Sequence, residues 1–125
     1  WVDSDHSPDC CVVQLVEEGV VFLGDCLYLN MDHEPWFRTP ERTRRLMSVL
    51  TALNAGWYVP AHHGVYSGEE FRRFARGMSD LCQAAEGAET LEQAEDSLRR
   101  LTGRALCEED SRGLEEFLNA KAHRA

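Results

Sequence analysis

Two apolar runs lie near the start of the chain. Cys10-Cys11-Val12-Val13-Gln14-Leu15-Val16 is rich in β-branched residues, and Val20-Val21-Phe22-Leu23 follows it after Glu17-Glu18-Gly19. Short runs of this kind on either side of a polar turn predict a β-hairpin, with Gly19 supplying the positive φ that a tight turn needs. Neither run alternates cleanly between apolar and polar. Both faces of the strands are therefore expected to be covered, as in a layered α/β structure.

The period then changes to that of a helix. Thr39-Pro40-Glu41 reads as a helix start, with a capping hydroxyl, a proline in the first turn and then an acid. Leu46, Val49, Leu50 and Leu53 form its apolar stripe, and Asn54-Ala55-Gly56 ends it. Trp57-Tyr58-Val59 is a short strand broken by Pro60. From Ser67 onward the pattern is helical. Ser67-Gly68-Glu69-Glu70 and Thr90-Leu91-Glu92-Gln93 both have the spacing of a capping box. The stripes are Phe71, Phe74, Met78, Leu81, Cys82 and Ala85, then Leu91, Ala94, Leu98 and Leu101, then Leu114, Phe117 and Leu118. This divides the chain into a mixed strand-and-loop part, residues 1–68, and a helical extension, residues 69–125, expected to pack as a small bundle.

Composition narrows the function classes. The chain has 125 residues, 43% of them apolar, which is enough for a core in one small domain or a piece of one. A net charge of −9 argues against a nucleic-acid partner, because binding phosphates needs clustered cations. Arginines gather at 42, 44 and 45 and again at 72, 73 and 76, and read as solvated helix faces. Five cysteines without C-x-x-C spacing fit a reducing compartment, so a cytoplasmic location is expected. No apolar run approaches the roughly 20 residues of a membrane span, so no membrane partner is expected. Beginning at Trp1 rather than methionine, the sequence reads as a processed product or a truncated piece.

Candidate chemistry gathers in three short motifs: Asp5-His6-Ser7-Pro8-Asp9, Phe22-Leu23-Gly24-Asp25 and Pro60-Ala61-His62-His63-Gly64. Imidazoles and a carboxylate on loops beside strands are suitable zinc ligands, and His62 follows a strand where open α/β sheets commonly place their sites. In order and surroundings the motifs resemble the back half of the metallo-β-lactamase superfamily. The resemblance spans about residues 3–68. It implies an α/β (α+β) fold, half of an αββα sandwich built from the hairpin and short strand, with a helical C-terminal extension. His6 would be a ligand of a first zinc, Asp25 a catalytic carboxylate bridging two zinc ions, and His62 a ligand of the second. His63, before Gly64, fits the last motif less well because proline sets the register. Iron or manganese suits the same ligands.

The sequence departs from the family in two ways. Asp5 stands where glycine is usual, and the His-x-His-x-Asp-His signature that supplies most of the ligands is absent. The resemblance therefore implies the C-terminal portion of a hydrolase of small-molecule substrates, inactive alone. Asp32-His33-Glu34, Cys26, Trp36, Phe37 and Tyr66 are secondary candidates near the site, read first as loop or packing residues. The alternative is a non-catalytic helical interaction or dimerisation module with a vestigial hairpin. Self-association is expected because a missing front half would leave an apolar sheet face bare. Thiol chemistry at Cys10-Cys11 is disfavoured, since successive strand residues point to opposite faces.

Overall fold

The computed structural model describes residues 1–29 and 38–124. The hairpin forms from β1 (Val13–Leu15) and β2 (Val20–Gly24), with Gly19 at φ +66° in the turn. β1 is shorter than its apolar run because Cys10 pairs with Val2 in an isolated bridge instead. That bridge closes the loop that carries His6. α1 (Pro40–Ala52) and β3 (Trp57–Pro60) come next, then β4 (Tyr66–Ser67), a two-residue strand that the hydrophobic pattern does not announce. α2 (Gly68–Glu86), α3 (Leu91–Thr102) and α4 (Glu108–Arg124) complete the chain. The fold is α+β: among the described residues, four helices accompany a mixed four-stranded sheet ordered β1-β2-β3-β4.

β2 and β3 are parallel, while the outer pairs are antiparallel. Parallel neighbours need a crossover, and α1 lies within it. Gln14, Val21, Tyr58 and Tyr66 are in register across the sheet and share one face. Val21 and Tyr58 are buried, Tyr58 stacks on Phe71 of α2 at a ring separation of 3.9 Å, and Gln14 donates to the Leu53 carbonyl at the end of α1. The helices therefore cover this face.

The opposite face corrects the expectation that both would be covered. Val13 is 53% exposed, Leu15 42%, Phe22 44% and Trp57 52%. The apolar runs encode a two-sided strand, but no described element packs on the second side.

Local signals mostly match the helices. Ser67 and Glu70 make the reciprocal capping box at the start of α2. Gly68 is required there, since a Cβ would meet the Ala55 carbonyl oxygen at 2.5 Å. Thr90 accepts from the Gln93 N–H, but the Gln93 side chain reaches back to the Glu89 N–H, so the second box is only half formed. Thr39 makes no side-chain cap. Its hydroxyl and N–H both donate to Asp5, each at 2.8 Å. In α1, Thr43, Leu46, Met47 and Leu50 are buried and Val49 is 44% exposed, because packing on α2 turns the stripe toward Met47.

The core crosses from sheet to helical extension without a break. Buried Tyr58 donates to the Leu50 carbonyl at 2.9 Å and accepts from the Ala55 N–H at 3.2 Å, closing the end of α1. α2, α3 and α4 pack on one another as the expected small bundle. Lys121 of α4 directs its ammonium at the carbonyls of Ala85, Glu86 and Ala88, at the end of α2 and just beyond it. No helix among the described residues is long and apolar enough to cross a membrane.

Candidate metal centre

The parallel pairing of β2 and β3 brings Asp25 beside His62. Gly24 pairs with Pro60 across an irregularity in the ladder, and the Ala61 N–H donates to the Gly24 carbonyl at 2.9 Å. Gly24 is at φ +56°, a left-handed conformation that turns the chain as β2 ends and that a Cβ would strain. Asp25 and His62 thus follow the carboxyl ends of adjacent parallel strands.

His6 reaches the same place from the amino-terminal loop. Asp5 anchors that loop to the start of α1: besides Thr39, Arg42 approaches its carboxylate at 3.6 Å. Asp5 therefore holds the His6 loop against the start of α1.

His62 Nε2 lies 3.2 Å from Asp25 Oδ1, and His6 Nε2 lies 3.9 Å from Asp25 Oδ2. One carboxylate thus faces two imidazoles through different oxygens. His6 Nδ1 is 3.3 Å from the Leu29 carbonyl oxygen. A carbonyl only accepts, so this contact puts a proton on Nδ1. In the neutral ring Nε2 is then a lone-pair donor facing a carboxylate oxygen. Two electron donors would then face each other, a conflict that either a proton on Nε2 or a metal cation between them relieves. A carbonyl on the far ring nitrogen is also what commonly orients a metal-binding histidine.

Asp25 Oδ1 is buried and has no hydrogen-bond partner, its approach to His62 being close but misaligned. Asp3 Oδ1 is likewise buried and unpartnered, but Arg42 Nε, 3.4 Å away, supplies a fixed positive charge. Among the described residues, Asp25 has only imidazoles near its carboxylate. With zinc–ligand bonds of about 2.0–2.2 Å, two ligands in tetrahedral array lie about 3.4 Å apart. The His62–Asp25 separation of 3.2 Å is near that distance, whereas the His6–Asp25 separation of 3.9 Å is wider than it. Among the described residues no three His, Cys, Asp or Glu side chains close around one point. The donors make two nitrogen–oxygen contacts that share Asp25, rather than a complete cage.

Tyr28 is a site residue that the motifs do not reveal. Its hydroxyl donates to the His62 carbonyl, and its ring meets those of His62 edge-on at 5.4 Å and His63 at 5.5 Å. Burial, then the neighbouring Tyr66 and Asp25, raises its pKa and keeps it a donor. The one signal in the sequence is its place three residues beyond Asp25, in a turn closed by the Tyr28 N–H on the Asp25 carbonyl. His63 is at φ +66° and faces Tyr28 rather than Asp25. Cys26 is buried, and burial first, then the nearby Cys10, pushes its thiol up to about 12, making it a packing residue rather than a thiolate. Cys10 is half-buried beside Ser4 and Cys11 is exposed. Tyr66 packs edge-on against Phe71. Asp32, His33, Glu34, Trp36 and Phe37 lie outside the described residues.

No protein family, curated protein or solved structure matches this chain.

Proposed function

We propose that this chain is the C-terminal portion of a metal-dependent hydrolase of the metallo-β-lactamase type. In this reading it is half of an αββα sandwich with a helical extension. His6, Asp25 and His62 are its share of a dinuclear zinc site. The observation that carries the reading is the Asp25 carboxylate, facing a separate imidazole through each oxygen while Oδ1 is buried without a hydrogen bond. His6 and His62 would each hold one ion through Nε2, and Asp25 would span both. Bound there, the ions would supply Lewis acidity, lowering the pKa of water and polarising an ester, thioester, amide or phosphoester. Three ligand side chains fall short of two four-coordinate ions, so this chain needs ligands from elsewhere to become active.

Calorimetric titration of the chain with zinc tests the metal reading. Weak, saturable binding is expected, falling at least about tenfold in both His6→Ala and His62→Ala, a loss of roughly 1.4 kcal/mol or more. Binding that is absent, or unchanged in both variants, removes it.

The bare sheet face favours a second reading, a non-catalytic module that associates with itself. Val13, Leu15, Phe22 and Trp57 offer apolar surface on one side. Sedimentation should then show a dimer that Phe22→Lys dissociates. A monomer at high concentration removes this alternative.

A further inference from the structure

The two arginine clusters, expected from the sequence to be solvated faces, are partly brought together by the packing of α1 on α2. Arg44 of α1 and Arg72 and Arg76 of α2 line one open groove of about 610 Å³. That volume lies within the range of small-molecule sites, roughly 300–1,000 Å³. Met47, Ala52 and Ala75 give the groove an apolar wall, and Ser48, Thr51 and Ser79 add hydroxyls. It contains no carboxylate and none of the site residues His6, Asp25 and His62.

The charges are unequal in their partners. Arg44 is held by Glu86. Neighbouring Arg73 is paired with Glu69. Arg72 and Arg76 are both exposed, and among the described residues neither has a carboxylate partner, although acids outnumber bases 22 to 13 in the chain. They stand four residues apart on one helix, where like charges repel. An anion between them would relieve that repulsion, and the guanidinium forks suit a phosphate or carboxylate.

We propose that the α1–α2 groove binds a small amphiphilic anion, its phosphate or carboxylate head at Arg72 and Arg76 and its apolar body along Met47, Ala52 and Ala75. This site is separate from the metal centre and stands whether or not the chain belongs to a hydrolase.

Titration with decyl phosphate below its micelle concentration, followed by amide NMR shifts, tests it. Shifts should concentrate at Ser48, Thr51, Ala75 and Ser79. Decyl glucoside and inorganic phosphate, which each carry half of the recognition chemistry, should bind at least about tenfold more weakly. Arg72→Gln/Arg76→Gln should weaken decyl phosphate at least about tenfold, and Ala52→Trp, which fills the groove but keeps the arginines, should do the same. Unshifted helical circular dichroism would establish that each variant is folded. Equal binding of the glucoside overturns the anion site, and equal binding of inorganic phosphate overturns the apolar one. Full affinity in the arginine variant, or shifts elsewhere on the molecule, overturns the location.

Discussion

Asp25 and Asp110 are carboxylates in opposite circumstances. Asp110, at the start of α4, accepts from Arg104 Nη1 at 2.7 Å and Nη2 at 2.9 Å, and from the Cys107 N–H at 2.9 Å. The Arg104 hydrogen bonds hold its carboxyl far below the usual carboxylate range. It closes the turn after α3 and caps α4 in one arrangement. Asp25 has two imidazole nitrogens near it and a buried oxygen that accepts from nothing. A carboxylate used for structure is surrounded by donors, whereas Asp25 keeps a buried oxygen with no hydrogen bond. Among the described residues, the two buried side-chain oxygens without a hydrogen bond, on Asp3 and Asp25, both lie outside the helical extension.

Substitution at each position should separate the two roles. Asp25→Ala is expected to have the largest effect, lowering zinc affinity by about a hundredfold, or roughly 2.7 kcal/mol. Its urea midpoint should stay level or rise, because an unpaired buried oxygen costs stability when present. A large drop in stability would make Asp25 structural after all.

Asp110→Ala should do the reverse. It should cost about 2 kcal/mol in urea unfolding through the lost charge-assisted hydrogen bonds and leave zinc affinity alone. Its pH dependence has a definite sign. Because the folded pKa is depressed, Asp110 contributes its full stability above the unfolded value of about 3.9 and loses it as pH falls toward the folded value. The stability gap between the parent chain and Asp110→Asn should therefore close below about pH 4. A gap independent of pH would assign the stabilisation to packing.

Tyr28→Phe should have the smallest effect. Removing the donor to the His62 carbonyl should lower zinc affinity a few-fold and stability by about 1 kcal/mol. An unchanged affinity would leave Tyr28 a packing residue.

Elements set by neighbouring residues are legible in the sequence itself. Gly19 turns the hairpin, Ser67 and Glu70 start α2, and Leu114 and Phe117 face inward from α4. These signals depend on φ preferences and on three- and four-residue spacing, which are local physics. The second capping box departs from its sequence pattern because Gln93 could satisfy either of two nearby N–H groups, and Glu89 took it. β4 escapes the hydrophobic pattern because two residues carry no period. At the site, the motifs single out His6, Asp25 and His62, but not which atoms face each other or that Tyr28 joins them.

By itself, then, the sequence indicated the hairpin, α1, β3 and the later helices, which side chains could ligate a metal, and that no basic stripe dominates a chain of net charge −9. Tertiary structure decided the rest. It set the parallel pairing of β2 with β3 that brings Asp25 to His62, and the Asp5 anchor that adds His6. It left one sheet face bare and gathered Arg44, Arg72 and Arg76 in a single groove. Each of these depends on which residues distant in sequence come to lie side by side, and packing, rather than local preference, chooses that.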